Sequence, residues 1–175
     1  MSLAIKWRGL AWYRKVLMVV FAIGLMGSLS SLLAQYVMGL NPCVMCIQQR
    51  VAMMVMTLMA GISLLLPVAK SWARGLAVML ASIPAVFGGY IAAKQLYIQS
   101  LPITEQPSCG APWTFRLRGA PLFDLYEPII RGTGVCGEVY KILGVALPMW
   151  SLLFFALMLM VLWGGLLLNK RFSFS

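Results

Sequence analysis

Charged side chains are scarce in this sequence, and their scarcity excludes most classes of soluble protein. Only 10% of the 175 residues are charged, and 62% are apolar. Ordinary globular domains contain about 25% charged and about 45–50% apolar residues. The mean hydropathy is +0.91, and a soluble core of this size cannot bury so much apolar surface. This composition excludes a cytosolic enzyme, a disordered tail and a secreted disulfide scaffold.

Histidine is absent, and acidic residues number 4 against 14 lysines and arginines. Without histidine the chain cannot form a Ser/His/Asp catalytic set, and it lacks a common ligand for zinc. The net charge of +10 could suit nucleic acid, but the basic residues lie between apolar blocks rather than in one patch. We therefore interpret them as a membrane topology signal and predict no nucleic-acid partner.

Long uncharged stretches separate these charges, and their lengths predict the membrane spans. The uncharged stretches contain 34 residues from Lys15 to Arg50, 19 from Arg50 to Lys70, 19 from Arg74 to Lys94 and 28 from Lys141 to Lys170. A bilayer core needs about 20 apolar residues of helix, because lipid cannot satisfy bare backbone polar groups. The sequence therefore predicts an all-α, four-transmembrane-helix bundle. We expect one membrane domain over residues 1–175, with spans at about 16–34, 51–67, 76–93 and 147–168.

The positions of lysine and arginine predict the orientation of the bundle. Eight basic residues near span ends share one side, which should be the cytoplasm; they are Lys6, Arg8, Arg14, Lys15, Lys70, Arg74, Lys170 and Arg171. Both termini are then cytoplasmic, and the loops at about 35–50 and 94–146 face outward. The first span could instead be a cleaved signal peptide, but its apolar stretch exceeds the usual length of about 7–15 residues.

All four cysteines fall in the predicted outer loops, Cys43 and Cys46 in the first and Cys109 and Cys136 in the second. An even number of cysteines facing an oxidising compartment is typical of disulfide pairing. Two inert structural disulfides are the simplest interpretation. However, a bond between Cys43 and Cys46 closes a very small loop and stabilises the fold little. Redox chemistry explains the first pair better.

The surroundings of the first pair also favour a reactive thiolate. Pro42 suits the first turn of a helix, so the two cysteines are expected at the start of the second span. A helix N-terminus stabilises negative charge, and Arg50 follows Cys46 by one turn on the same face. Arg50 is the only charged residue between positions 16 and 69. It should face a partner or a functional site, although snorkelling to the headgroups is an alternative.

The second pair lies 27 positions apart in a loop rich in proline and glycine. Between its cysteines, Trp113, Phe115 and Leu117 alternate with polar residues. We predict a segment that lies on the bilayer surface and contains at most a short helix. An ordinary loop with scattered aromatic residues is the alternative.

In their order and spacing, these features resemble the disulfide bond formation protein B (DsbB) family. The resemblance covers essentially the whole chain and rests on three features. They are the four spans, the Pro-Cys-x-x-Cys-x-x-x-Arg motif from Pro42 to Arg50, and the cysteine pair in the second outer loop. Members of this family are thiol:quinone oxidoreductases of the bacterial inner membrane. The resemblance implies the same location and the same enzymatic activity for this chain.

The resemblance also implies a role for each cysteine. A reduced periplasmic DsbA-like protein, with a thioredoxin fold, would form a mixed disulfide at Cys109, and Cys136 would be its resolving partner. Electrons would then pass to Cys43 and Cys46, with Cys136 transiently bonded to Cys43. Cys46 would face a quinone drawn from the membrane pool, either ubiquinone or menaquinone, and Arg50 would help to bind it. No metal is implied.

Two departures from the family pattern concern the expected quinone site. Many members carry a histidine near the outer end of the third helix, where this chain has Gln95. Gln48 and Gln49 stand where the resemblance predicts an aromatic residue and an acid.

Two other functions stay open. A vitamin K epoxide reductase-like enzyme would carry its redox CxxC late in the bundle, and a membrane metal-binding protein would use the cysteines as ligands.

Overall fold

The computed structural model describes residues 2–68 and 70–173, with side chains described over 12–68 and 70–168. Within these residues, four helices are long and apolar enough to cross a membrane. They are α1 (Ser2–Tyr36), α2 (Val44–Ser63), α3 (Ser71–Ser100) and α6 (Leu147–Ser173). The predicted all-α, four-helix membrane fold is confirmed. The side chains of four of the basic residues used to predict orientation, Lys6, Arg8, Lys170 and Arg171, lie outside the described ones.

The second outer loop contains short helices and a short hairpin. Helices α4 (Trp113–Arg116) and α5 (Phe123–Ile130) are followed by a hairpin of β1 (Lys141–Ile142) and β2 (Val145–Ala146). Prolines limit the helices, since Pro112 precedes α4 and Pro128 lies inside α5. Large apolar side chains on this segment are exposed, among them Phe115 and Leu125. That exposure agrees with a segment at the membrane surface.

The four long helices form a bundle in which α2 packs against α1 and α3, and α6 packs against α3 and α1. Its centre contains large buried side chains, including Tyr13, Met56 and Phe155. Small residues let the helices approach closely, as is usual in membrane bundles. At Gly88 in α3, an added Cβ would overlap the ring of Phe155 in α6. The apolar side chains on the outside of the bundle remain exposed, as expected for surfaces that face lipid.

The second loop folds back over the outer end of the bundle, where α2 begins. The backbone N–H of Gly134 donates to the carbonyl of Pro42 at 3.2 Å. The Asn41 side chain bonds twice to Thr133, at 3.0 Å in each case. A side chain at Gly134 would overlap the carbonyl of Asn41, so this close approach requires glycine. Cys136, two residues farther along, is buried in one cluster with the first residues of α2.

Candidate redox site

Cys43 and Cys46 form the first turn of α2. Cys43 is the N-cap residue, and its Sγ accepts a hydrogen bond from the backbone N–H of Cys46 at 3.2 Å. This is the usual arrangement of an N-cap side chain, with sulfur in place of the more common oxygen. The two Sγ atoms lie 2.8 Å apart, and both cysteines are free thiols. The pKa of Cys43 is raised by its hydrogen bond to the Cys46 sulfur and by burial.

Gln95 in α3 lies against both sulfurs. Its Nε2 donates to Cys43 Sγ at 3.3 Å and to Cys46 Sγ at 3.4 Å. The Nε2 of Gln49, in α2, donates to Gln95 Oε1 at 2.7 Å. Gln95 is only 2% exposed, so water is largely excluded from these contacts.

Arg50 lies one helical turn beyond Cys46 and is buried, with 6% of its surface exposed. Its guanidinium donates to Gln35 Oε1, to the Ile129 carbonyl at 3.2 Å and to the Ser31 carbonyl at 3.1 Å. These acceptors are neutral, so they solvate the guanidinium without cancelling its charge. The Nε atom is buried and has no partner among the described residues. The contacts are internal to the protein, unlike those of an arginine that snorkels to headgroups.

A cavity of about 320 Å³ opens beside these side chains, between the outer ends of the long helices. Cys46, Arg50 and Gln95 line it, together with apolar residues such as Met53 and Phe154. A mostly apolar cavity with a few polar groups is typical of a site for a small organic ligand.

Cys109 and Cys136 form a disulfide with their Cα atoms 6.2 Å apart. Cys136 is 1% exposed and packs with Cys43 in one buried cluster, whereas Cys109 is partly exposed at the edge of that cluster. Gln99 donates to the Cys136 carbonyl at 3.3 Å. Trp113 donates to the Val44 carbonyl at 3.3 Å and contributes to the same cluster. The fold therefore brings together all four cysteines that the sequence singled out.

Gln35 and Gln99 were not recognised from the sequence as site residues, and Gln49 was noted only as a departure from the family pattern. All three bond to groups around the cysteines or Arg50. The sequence feature that could have indicated them as site residues is their position near the outer ends of apolar helices. A polar side chain there tends to face the protein interior rather than lipid.

Comparison with known proteins identifies the family. The family model described as "Disulfide bond formation protein DsbB" matches residues 13–164. The chain belongs to the DsbB family. As a member, it is a disulfide-forming oxidoreductase, and its four spans make it a multi-pass membrane protein.

Curated relatives in several bacteria carry the name disulfide bond formation protein B. The chain is 46% identical to the protein of Neisseria meningitidis serogroup A over 86% of this chain and 93% of the relative. It is 47% identical to the Neisseria gonorrhoeae protein over the same shares. Identity with the Chromohalobacter salexigens protein is 36%, over 81% of this chain and 84% of the relative. The similarity to DsbB relatives thus extends over most of the chain.

Proposed function

We propose that this DsbB-family protein is a thiol:quinone oxidoreductase that reoxidises a DsbA-like disulfide donor and passes the electrons to a membrane quinone. The observation that carries the proposal is the unequal exposure of the loop disulfide. Cys109 is partly exposed, whereas Cys136 is buried beside Cys43. One cysteine is therefore open to a partner protein, and the other is buried in the same cluster as the inner thiol pair, Cys43 and Cys46.

The first half of the reaction takes place at the loop disulfide. A thiolate of the reduced partner attacks Cys109 Sγ, the Cys109–Cys136 bond breaks, and Cys136 leaves as a thiolate. The second thiol of the partner then attacks the mixed disulfide and releases Cys109. The partner leaves oxidised, and two electrons remain on Cys109 and Cys136.

The second half moves these electrons to the start of α2. When Cys43 and Cys46 are joined, the Cys136 thiolate attacks Cys43 Sγ, and Cys46 leaves as a thiolate. Cys109 then attacks Cys136, which releases Cys43 and restores the loop disulfide. The structure has the connectivity expected at the end of this transfer, with a bond between Cys109 and Cys136 and free thiols at Cys43 and Cys46.

The cavity fits a quinone headgroup. Its walls are mainly apolar, and the unpartnered Nε of Arg50 is a buried donor suited to a carbonyl oxygen. Cys46 and Arg50 would hold the ring, and a bound quinone would accept two electrons and two protons. Some strong oxidant is needed, because structural disulfides lie below about −300 mV and DsbA near −120 mV, an uphill gap of roughly 8 kcal/mol. Ubiquinone and menaquinone both have the required headgroup chemistry.

We also propose that the protein lies in the bacterial inner membrane with both termini in the cytoplasm. In support, the four cysteines lie at one end of the bundle. Lys70 and Arg74 lie at the opposite end, in the turn between α2 and α3 and at the start of α3. Under the positive-inside rule, this arrangement supports an orientation with the redox groups facing the periplasm.

Trapping of the mixed disulfide tests the proposal. A reduced DsbA-like partner that retains only its attacking cysteine is mixed with the purified protein, and the adduct is mapped by peptide mass spectrometry. With Cys43 and Cys46 reduced, as in the structure, we expect the partner on Cys109 and a free thiol on Cys136. An adduct mainly on Cys136 would contradict the assigned order of transfer, and no adduct at all would leave inert structural disulfides as the better interpretation.

A further inference from the structure

The amide of Gln95 is placed to act on the inner thiol pair directly. Its Nε2 lies 3.3 Å from Cys43 Sγ and 3.4 Å from Cys46 Sγ, within the range for hydrogen bonds to sulfur. Its Oε1 lies 3.8 Å from Cys46 Sγ, with the sulfur as donor. The same amide can therefore donate to a Cys46 thiolate and accept from a Cys46 thiol. Both hydrogen bonds are within reach of the same amide in the present arrangement of the helices.

Gln49 determines which end of that amide faces the sulfurs. A glutamine side chain can rotate by half a turn and exchange its donor and acceptor ends. Gln49 Nε2 donates to Gln95 Oε1 at 2.7 Å, and this bond exists only when the oxygen points toward Gln49. The nitrogen then faces Cys43 and Cys46. Both glutamines are buried, so water does not compete effectively for either end.

We propose that Gln95 is a further catalytic residue, the hydrogen-bond donor that stabilises the Cys46 thiolate, and that Gln49 is the positioning residue that orients it. The inference rests on the proposed function, in which Cys46 becomes a thiolate at each turnover. An amide does not titrate in the working pH range, so its hydrogen bond is available at every pH. The nearby charge of Arg50 is likewise constant, because arginine stays protonated in proteins.

Alkylation of the reduced protein tests this inference without any quinone. The full-length protein is reduced in lipid nanodiscs, and the rate at which iodoacetamide modifies Cys46 at pH 7 is followed by mass spectrometry. In Gln95→Met, which has a similar length but no N–H, we expect this rate to fall about tenfold, because hydrogen bonds to charged groups are strong and the thiolate is the nucleophile. An unchanged rate would overturn the proposal.

Two further variants separate this role from a packing role. Gln49→Glu keeps the shape of the side chain but removes its donor, and the carboxylate should attract the Gln95 N–H away from the sulfurs. We expect it to slow alkylation about as much as Gln95→Met does, whereas a wild-type rate would contradict the positioning role. Gln48→Met is the matched control, since the Gln48 amide makes no hydrogen bond to either sulfur among the described residues. We expect wild-type alkylation of Cys46 in this control.

The assay distinguishes this inference from the proposed function. Because no quinone is present, a protein that fails to reduce quinone can still show slow alkylation in Gln95→Met. That result would support the hydrogen bond and reject the proposed acceptor. Equal alkylation rates in wild type and Gln95→Met, with normal quinone reduction in wild type, would reject the role of Gln95 alone.

Discussion

Replacement of Cys46 by serine stops quinone-dependent reoxidation of the partner while leaving partner binding at Cys109 intact. We expect turnover to fall by about three orders of magnitude or more, as is usual when a nucleophile is removed. The serine hydroxyl is not ionised near neutral pH and cannot form the disulfide with Cys43. The measurement is the rate of quinone reduction, followed optically, with purified protein and excess reduced partner.

Two controls make the Cys46→Ser result interpretable. Thermal unfolding should be close to that of wild type, because the side chains differ by one atom and Cys46 is only partly buried. The trapped adduct should still form on Cys109, since the loop disulfide does not involve position 46. Reoxidation of the partner at the wild-type rate would contradict the assigned role of Cys46.

Replacement of Arg50 by methionine should lower the rate of quinone reduction about 10- to 100-fold, with partner exchange at Cys109 unchanged. Methionine removes the buried positive charge that lines the cavity, and it removes the donor that would bind a quinone carbonyl. Loss of one such hydrogen bond to a charged group costs about 1.5–3 kcal/mol. Steady-state kinetics with a water-soluble quinone analogue measure the effect, and the expected change includes a raised KM for the quinone.

Matched variants define which property of Arg50 matters. Lysine at this position keeps the charge but lacks the planar fork that reaches Gln35 and two carbonyl groups at once, so we expect an intermediate rate. Arg118→Met removes an exposed charge in the outer loop that does not line the cavity, and it should leave quinone kinetics unchanged. Normal quinone kinetics in Arg50→Met would count against a role in the quinone site.

The spacing of charges predicts the number of membrane helices, but by itself it does not locate the start of α2. Charge spacing puts the start of the second span at about residue 51, whereas α2 begins at Val44. The difference arises because Arg50 lies inside the helix, where neutral groups of α1 and the second loop solvate it. A rule that places every charge outside the membrane cannot anticipate such contacts across the fold.

The sequence predicts which cysteines form the candidate site, but it does not predict how their surroundings are arranged in space. The position of Cys43 and Cys46 at a helix start follows from local sequence, because Pro42 and the i, i+3 spacing act within one turn. The unequal exposure of Cys109 and Cys136 depends on how the second loop docks on α2. The contact between Gln49 and Gln95 depends on the register of α2 against α3. Neither relation is encoded in a short motif.

The most direct test of the account is the stoichiometry of the complete reaction. Purified protein, a reduced DsbA-like partner and a known amount of ubiquinone or menaquinone are mixed, and both quinone loss and partner thiols are measured over time. We expect one quinone reduced for each partner disulfide formed, and without quinone under anaerobic conditions we expect no partner oxidation beyond the amount that the protein's own disulfides can accept. Partner oxidation that continues without quinone, or quinone that stays oxidised while the partner is reoxidised, would contradict the account.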